Sequence, residues 1–298
     1  MMSGVAVFNI VVFALFFPAT VLLIWVILRN KDLWKLWAYR LIIQIAIADL
    51  RILLSNGFSG IAYFVDADVP ETVARVAYLM FTGIIEMEVL FFVVLAFNRL
   101  FVILELRALN RGLFYGVSII AIWCVNISVA IFLNILETTA YYDHNTLGVY
   151  FKGVESAKHA LVSYDRVKFL FSCVGFGIAT VCYTVTISSI CLKKNAVSKQ
   201  EINLLIQAII PFVFAVCARG VQKLQKEIAV AFGEQFANIL FNFFFRALPV
   251  THLFVYLLFN RTIRVQFLRT MKVRKESTVQ VRQIPSFRSS SIGIPRIF

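Results

Sequence analysis

The sequence predicts an all-α membrane protein, a seven-transmembrane helix bundle with its N-terminus outside and its C-terminus in the cytoplasm. Three observations predict it. First, 60% of the 298 residues are hydrophobic and 15% charged, with a mean hydropathy of +0.84. No water-soluble domain of this size needs so much apolar surface. Second, charge-poor apolar runs recur seven times, at roughly 7–28, 41–64, 77–104, 113–135, 168–192, 202–218 and 236–259, each long enough to cross a hydrocarbon core. In hydrocarbon every backbone amide must be paired within its own segment, so such runs are helices. Third, with loops assigned alternately, the inner segments hold 18 Lys/Arg against four acids, and the outer segments eight basic against nine acidic residues. That asymmetry follows the positive-inside rule. The net charge of +13 therefore reflects topology and not nucleic-acid binding.

The first span has no basic residue before it and is followed directly by Arg29 and Lys31, the pattern of a retained span and not of a cleaved signal. The inner loop after it, with Trp34, Trp37 and Tyr39 among Lys35 and Arg40, has the aromatic and cationic make-up of a headgroup-level anchor. Span two contains Asp49 and Arg51. A carboxylate inside a membrane helix is costly without a partner, which makes Asp49 a functional candidate. Span two ends in Gly57-Phe-Ser59-Gly60, the nucleophile motif of rhomboid intramembrane proteases. Small residues at that spacing also serve close helix packing. Without the flanking motifs, four residues do not support a catalytic assignment, and the chain is not expected to be an enzyme.

Span three carries Glu86, Glu88, Asn98 and Arg99. The two glutamates lie roughly 16–20 Å along the helix from Arg99, at about 1.5 Å per residue, and point to different faces. Span four carries Trp123. The second outer loop, from Glu137 to Lys168, is the longest connection, and long loops of this kind often lid a binding site. Span six contains Gln207 and Pro211, whose missing amide kinks a helix. Span seven carries Arg246, Pro249, His252 and Tyr256. After it, residues 260–272 set Ile263, Phe267, Leu268 and Met271 on one face among Arg261, Arg264, Arg269 and Lys272, an amphipathic helix for the inner leaflet. Residues 273–298 lack periodicity and read as a disordered, phosphorylatable cytoplasmic tail. The seven-transmembrane domain is thus 1–272. The five cysteines all lie in or beside spans, so no disulfide framework is expected outside.

Asn98-Arg99-Leu100 at the inner end of span three resembles the Asp/Glu-Arg-Tyr motif of rhodopsin-like receptors, and Ile45-Ala-Ile-Ala-Asp49-Leu50 resembles their Leu-Ala-x-x-Asp-Leu. Phe97-Asn98-Arg99, Glu201-Ile-Asn-Leu-Leu-Ile-Gln207 and Tyr256-Leu-Leu-Phe-Asn260-Arg-Thr-Ile-Arg264 look most like nematode serpentine chemoreceptors, particularly classes T and X. The resemblance implies a G-protein-coupled chemosensory receptor, with 1–272 as its receptor domain, in the plasma membrane, and more finely in a sensory cilium. It would bind a small-molecule ligand outside and a heterotrimeric G protein inside, with Asn98 and Arg99 in coupling. It further implies a polar core or switch of Asp49, His252, Pro211 and Tyr256, in which Asp49, Glu88 and His252 would hold sodium or a proton. Arg246 falls at or next to the retinal lysine of visual opsins. A guanidinium stays protonated and forms no Schiff base, so no cofactor is expected.

The charges inside the spans need partners. Arg246 with Glu86 or Glu88 would bridge spans three and seven, as a structural lock or as the polar floor of a ligand pocket. A transporter is the alternative class, together with a non-coupling seven-helix protein, although no internal repeat supports transport. Three scattered histidines do not suffice for a metalloenzyme.

Overall fold

The computed structural model describes residues 2–65, 69–106, 112–135, 138–144, 147–153, 155–192 and 199–271. The expected tail, and the basic side chains Arg107, Arg111, Lys193 and Lys194 of the inner loops, lie outside the described residues. Eleven helices and one hairpin are described: α1 (Met2–Arg29), α2 (Lys31–Trp34), α3 (Trp37–Val65), α4 (Glu71–Phe81), α5 (Ile84–Ile103), α6 (Gly112–Ile135), β1 (Thr138–Asp143), β2 (Gly148–Gly153), α7 (Glu155–Leu192), α8 (Lys199–Lys223), α9 (Gln225–Phe232), α10 (Glu234–Phe259) and α11 (Arg261–Thr270). Seven stretches are long and apolar enough to cross a membrane: α1, α3, α4 with α5, α6, α7, α8 and α10.

The helices pack as α1 on α3, α5 on α7 and α8 on α10, with α5 in the centre touching α3, α6 and α8 as well. Burial follows that order. The α4–α5 span has 71% of its most apolar stretch buried, whereas α6 has 17%, with Leu113, Ile120 and Ile135 on its open face. An apolar helix exposed on most of its surface suits lipid, not water. The main core joins Leu41, Ile45 and Ile52 of α3, Met87, Phe91 and Phe92 of α5, and Phe212 of α8.

Span three is not one helix. It breaks at Thr82–Gly83, where Gly83 takes φ +69°, a conformation open to glycine and strained for other residues. The break frees carbonyls at the end of α4, and Arg51 of α3 covers them. Its Nε donates to Met80 O at 2.6 Å, Nη2 to Thr82 O at 3.2 Å and Nη1 to Asn126 Oδ1 at 2.9 Å. Asn126 in turn donates to Thr82 O at 3.2 Å. This arginine, which no part of the family resemblance accounted for, is a backbone cap inside an apolar bundle. Such irregular backbone at this depth is tolerated only where protein covers it.

Two further junctions hold the opposite end. Asn260 accepts from Ile263 N at 3.1 Å, capping α11, and donates to the Tyr39 hydroxyl of α3 at 2.9 Å and to Gln207 Oε1 of α8 at 3.4 Å. Helix α11 then buries Ile263 and Phe267 and exposes Arg261, Arg264 and Arg269. Trp123 of α6 donates to Gln44 of α3 at 2.8 Å. All five cysteines are free.

The second outer connection departs most from the sequence expectation. Its first part is an antiparallel hairpin with Tyr141 opposite Tyr150, and α7 begins at Glu155, not near 168. The aromatic and β-branched residues Tyr141, Tyr142, Val149, Tyr150 and Phe151 give the hairpin its strand character, while a polar helix start at Glu155 carries no apolar signal.

A side chain at Gly83 would place its Cβ 2.4 Å from Asn126 Nδ2 as well as straining φ. Gly83→Ala should therefore lower unfolding stability by about 1–3 kcal/mol, read as a lower thermal midpoint of the purified protein in detergent. A midpoint equal to wild type would show that the break relaxes at no cost.

Candidate functional site

The polar side chains of the spans sort into three groups along the bundle. The first lines a cavity of about 380 Å³ under the hairpin, walled by α3, the start of α5, α7, α10 and strand β2. Ser55, Glu86, Tyr164, Lys168 and Arg246 face it, with Ile85, Phe241 and Phe245 as apolar wall. The α4–α5 break opens on this cavity through Thr82 and Gly83, so the local backbone irregularity shapes it. The hairpin closes it from above. Tyr142 is buried and donates to Ser59 O at 2.7 Å. Burial pushes its phenol above the usual range, so it stays a donor at all ordinary pH.

Glu86 and Arg246 both reach this cavity, yet they do not pair. Arg246 turns toward α3 and the hairpin, where Nη1 donates to Asn56 Oδ1 at 2.9 Å and to Ser55 Oγ at 3.5 Å, and Nη2 to Leu147 O at 2.8 Å. Its Nε donates to Asn242 at 3.3 Å. Glu86 instead meets Arg219 at 3.2 Å and Lys168 at 4.0 Å. The expected bridge between spans three and seven is thus replaced by one from α5 to α8 and α7. The physical reason is helix length. Helix α8 continues to Lys223, beyond the apolar run that ends near 218, and that extra turn places Arg219, 8% exposed, beside Glu86. Hydropathy alone assigned Arg219 and Lys168 to outer loops, so the sequence missed both.

The second group lies deeper. Asp49, Glu88 and His252 are all buried, with one ligand atom of each within 4.8 Å of the others. His252 Nδ1 is 2.7 Å from Asp49 Oδ1. Both Glu88 oxygens and His252 Nε2 are buried without a hydrogen-bond partner. Two carboxylates and an imidazole make a donor set able to take a proton or a cation. Glu88 and Glu86 thus serve different groups, as their separation of two residues on a helix requires. Tyr256 lies one turn from His252, ring centroids 6.4 Å apart. Ser59, the residue of the protease-like motif, donates to Ser55 O at 2.7 Å, and His252 is held by Asp49. No Ser–His couple forms.

The third group sits at the far end of α5. Arg99 is 6% exposed, with Tyr183, Tyr39, Tyr115 and Glu201 acting on it electrostatically. Asn98 is buried and hydrogen-bonds Tyr115 of α6. An aromatic set joins the second and third groups. Phe92 meets His252 at 5.7 Å and Phe212 at 6.2 Å, and Phe212 meets Tyr183 at 5.3 Å. Phe212 follows Pro211, through which α8 runs as a helix.

No family model matches the chain, and no curated protein matches it by sequence. Among solved structures, squid rhodopsin superposes with a TM-score of 0.74 over 90% of this chain and 80% of that one, at 14% identity. The fold is therefore the rhodopsin-type seven-helix bundle, and the chain is a multi-pass membrane protein.

If Glu86 and Arg219 stabilise each other, Glu86→Gln and Arg219→Gln should each destabilise the protein and the double variant by less than their sum. The expected coupling is about 0.5–3 kcal/mol, measured as a double-mutant cycle on thermal or denaturant unfolding. Strict additivity would mean that the contact contributes nothing.

Proposed function

We propose that this protein is a G-protein-coupled chemosensory receptor in the plasma membrane, binding a small-molecule cue from the outer side and activating a heterotrimeric G protein within. The observation that carries this reading is the arrangement of polar groups on a rhodopsin-type bundle. A cavity of about 380 Å³ with charged and apolar walls lies under a hairpin at one end, and a buried Arg99 lies at the other. Positive-inside charge orients the hairpin outward. Glu86 and Arg246 then belong to the ligand site, and Asn98 and Arg99 to the coupling end. Asn98 acts there by tying α5 to α6 through Tyr115. The motifs around Arg99, Gln207 and Asn260 favour a serpentine chemoreceptor of the nematode type, for which a sensory cilium is the natural location.

The Asp49, Glu88 and His252 cluster would be the switch of this receptor, with a proton or sodium as its occupant, and Pro211 and Tyr256 the hinge and neighbour that respond. Its closed surroundings favour a small ion over an organic ligand.

Expressed with a promiscuous G protein in cultured cells, the full chain should give a second-messenger response to a small-molecule library. Arg99→Ala at equal surface level should abolish it. Silence from wild type at the surface would instead favour a non-coupling protein or a transporter, and solute uptake would then separate those two. Asp49→Asn should in addition remove any dependence of the response on external pH, because it takes away the carboxylate that meets His252. A response whose pH profile survives the substitution would remove the switch from this cluster.

A further inference from the structure

The charges around the cavity do not balance. Among the described residues, four charged side chains are withdrawn from solvent there: Arg246, 5% exposed, and Arg219, Lys168 and Glu86, at 8%, 20% and 14%; Asp165, the other carboxylate of the lining, is exposed. Glu86 is shared between Arg219 and Lys168. Among the described residues, Arg246 is left without an anion. Its four hydrogen bonds all go to neutral acceptors, and the titratable groups acting on it are the phenols Tyr142 and Tyr150, not a carboxylate.

A buried guanidinium without a counter-charge is costly, and proteins keep one where an anion arrives. Arg246 is positioned for that. A guanidinium has five N–H donors, and its four bonds use Nε, Nη1 twice and Nη2 once. One Nη2 proton stays open, and Arg246 lines the cavity. The acceptor that partly covers it, Leu147 O, is offered by a residue held at φ +53°, a left-handed conformation costly for leucine. The hairpin thus reaches into a strained backbone state to give Arg246 a neutral acceptor. A charged acceptor entering from the cavity makes a shorter and stronger bond than that carbonyl.

The rest of the cavity sets the remainder of the molecule. Ile85, Leu161, Phe241 and Phe245 supply an apolar wall. A volume of about 380 Å³ is near the small end of ligand pockets, which run about 300–1,000 Å³. We infer that the ligand of this cavity is a small amphipathic carboxylic acid, its carboxylate on Arg246 and its apolar body against Phe241 and Phe245. The inference rests on the receptor reading, which makes this cavity the ligand's seat.

Purified full-length protein in nanodiscs, shown monodisperse and helical, would be titrated with matched probes. These are 3-phenylpropanoate, 3-phenylpropanamide and 3-phenylpropylamine, and hexanoate with its amide and amine, followed by thermal shift and calorimetry at pH 7.4. At least one acid should bind about tenfold or more tighter than its amide, the scale of one charge-assisted hydrogen bond, and the amines should not bind. Arg246→Lys should keep the preference for the acid, and Arg246→Gln should erase it. An amide or amine that binds as tightly as its acid overturns the inference, as does failure of both acids to bind the folded wild type. That comparison needs no variant, so it stands even where Arg246→Gln fails to fold. The second-messenger assay keeps the two readings apart. An acid that binds in nanodiscs and never signals counts against the receptor, whereas an amine that signals counts against the carboxylate.

Discussion

The bundle depends on one constraint: a polar group withdrawn into apolar surroundings must meet another or the structure does not persist. Arg51 shows it most directly. The α4–α5 break exposes carbonyls that no helix satisfies, and a guanidinium from α3 reaches them together with Asn126. Remove the arginine, and the break loses its cap. Remove the break, and the arginine loses its carbonyl acceptors and keeps Asn126 and the field of Glu88. The two features are intelligible only as a pair, and the cavity that opens beside Gly83 is their consequence.

The same constraint distributes the other charges. Glu86 pairs with both Arg219 and Lys168 at the cavity wall, and Asp49 holds His252 deeper in the bundle. Matching is incomplete at Arg246, which meets no carboxylate among the described residues, and at buried atoms such as the Glu88 oxygens, His252 Nε2 and Arg99 Nε, which have no hydrogen-bond partner there. Such places are strong candidates for what comes from outside the chain, because an unmatched buried group is stable only while something offsets its cost. Central α5 carries Glu86, Glu88, Phe92, Asn98 and Arg99. It therefore touches the cavity, the polar core and the far end, and a shift along or around one rigid helix is felt at all three.

Much of this was legible in the residues. The spans read from hydropathy lie within the observed helices except at the third, because twenty apolar residues in a bilayer have one backbone solution. The amphipathic α11 was also visible in spacing, whereas the grouping of Asp49, Glu88 and His252 came from the resemblance to rhodopsin-like receptors. The helix break was not: a lone glycine between Thr82 and Ile84 is common in membrane helices, and only its positive φ marks the turn. The hairpin was missed because it lies in a loop without the dense alternation of a buried sheet. Arg219 was misplaced because hydropathy finds where hydrocarbon ends, whereas the helix runs on as long as its backbone bonds do.

By itself, then, the sequence determined that this chain crosses a membrane seven times by composition, which faces of each helix are apolar, and which charges need partners. Those follow from transfer free energies and helical periodicity, properties of each segment alone. Tertiary structure decided which charge meets which. Glu86 chose Arg219 and not Arg246, Arg51 gave its hydrogen bonds to the carbonyls of a helix break, and a hairpin carbonyl came to rest on Arg246. Such pairings depend on the azimuth, depth and extension of whole helices against one another, and those are set only when all seven are packed.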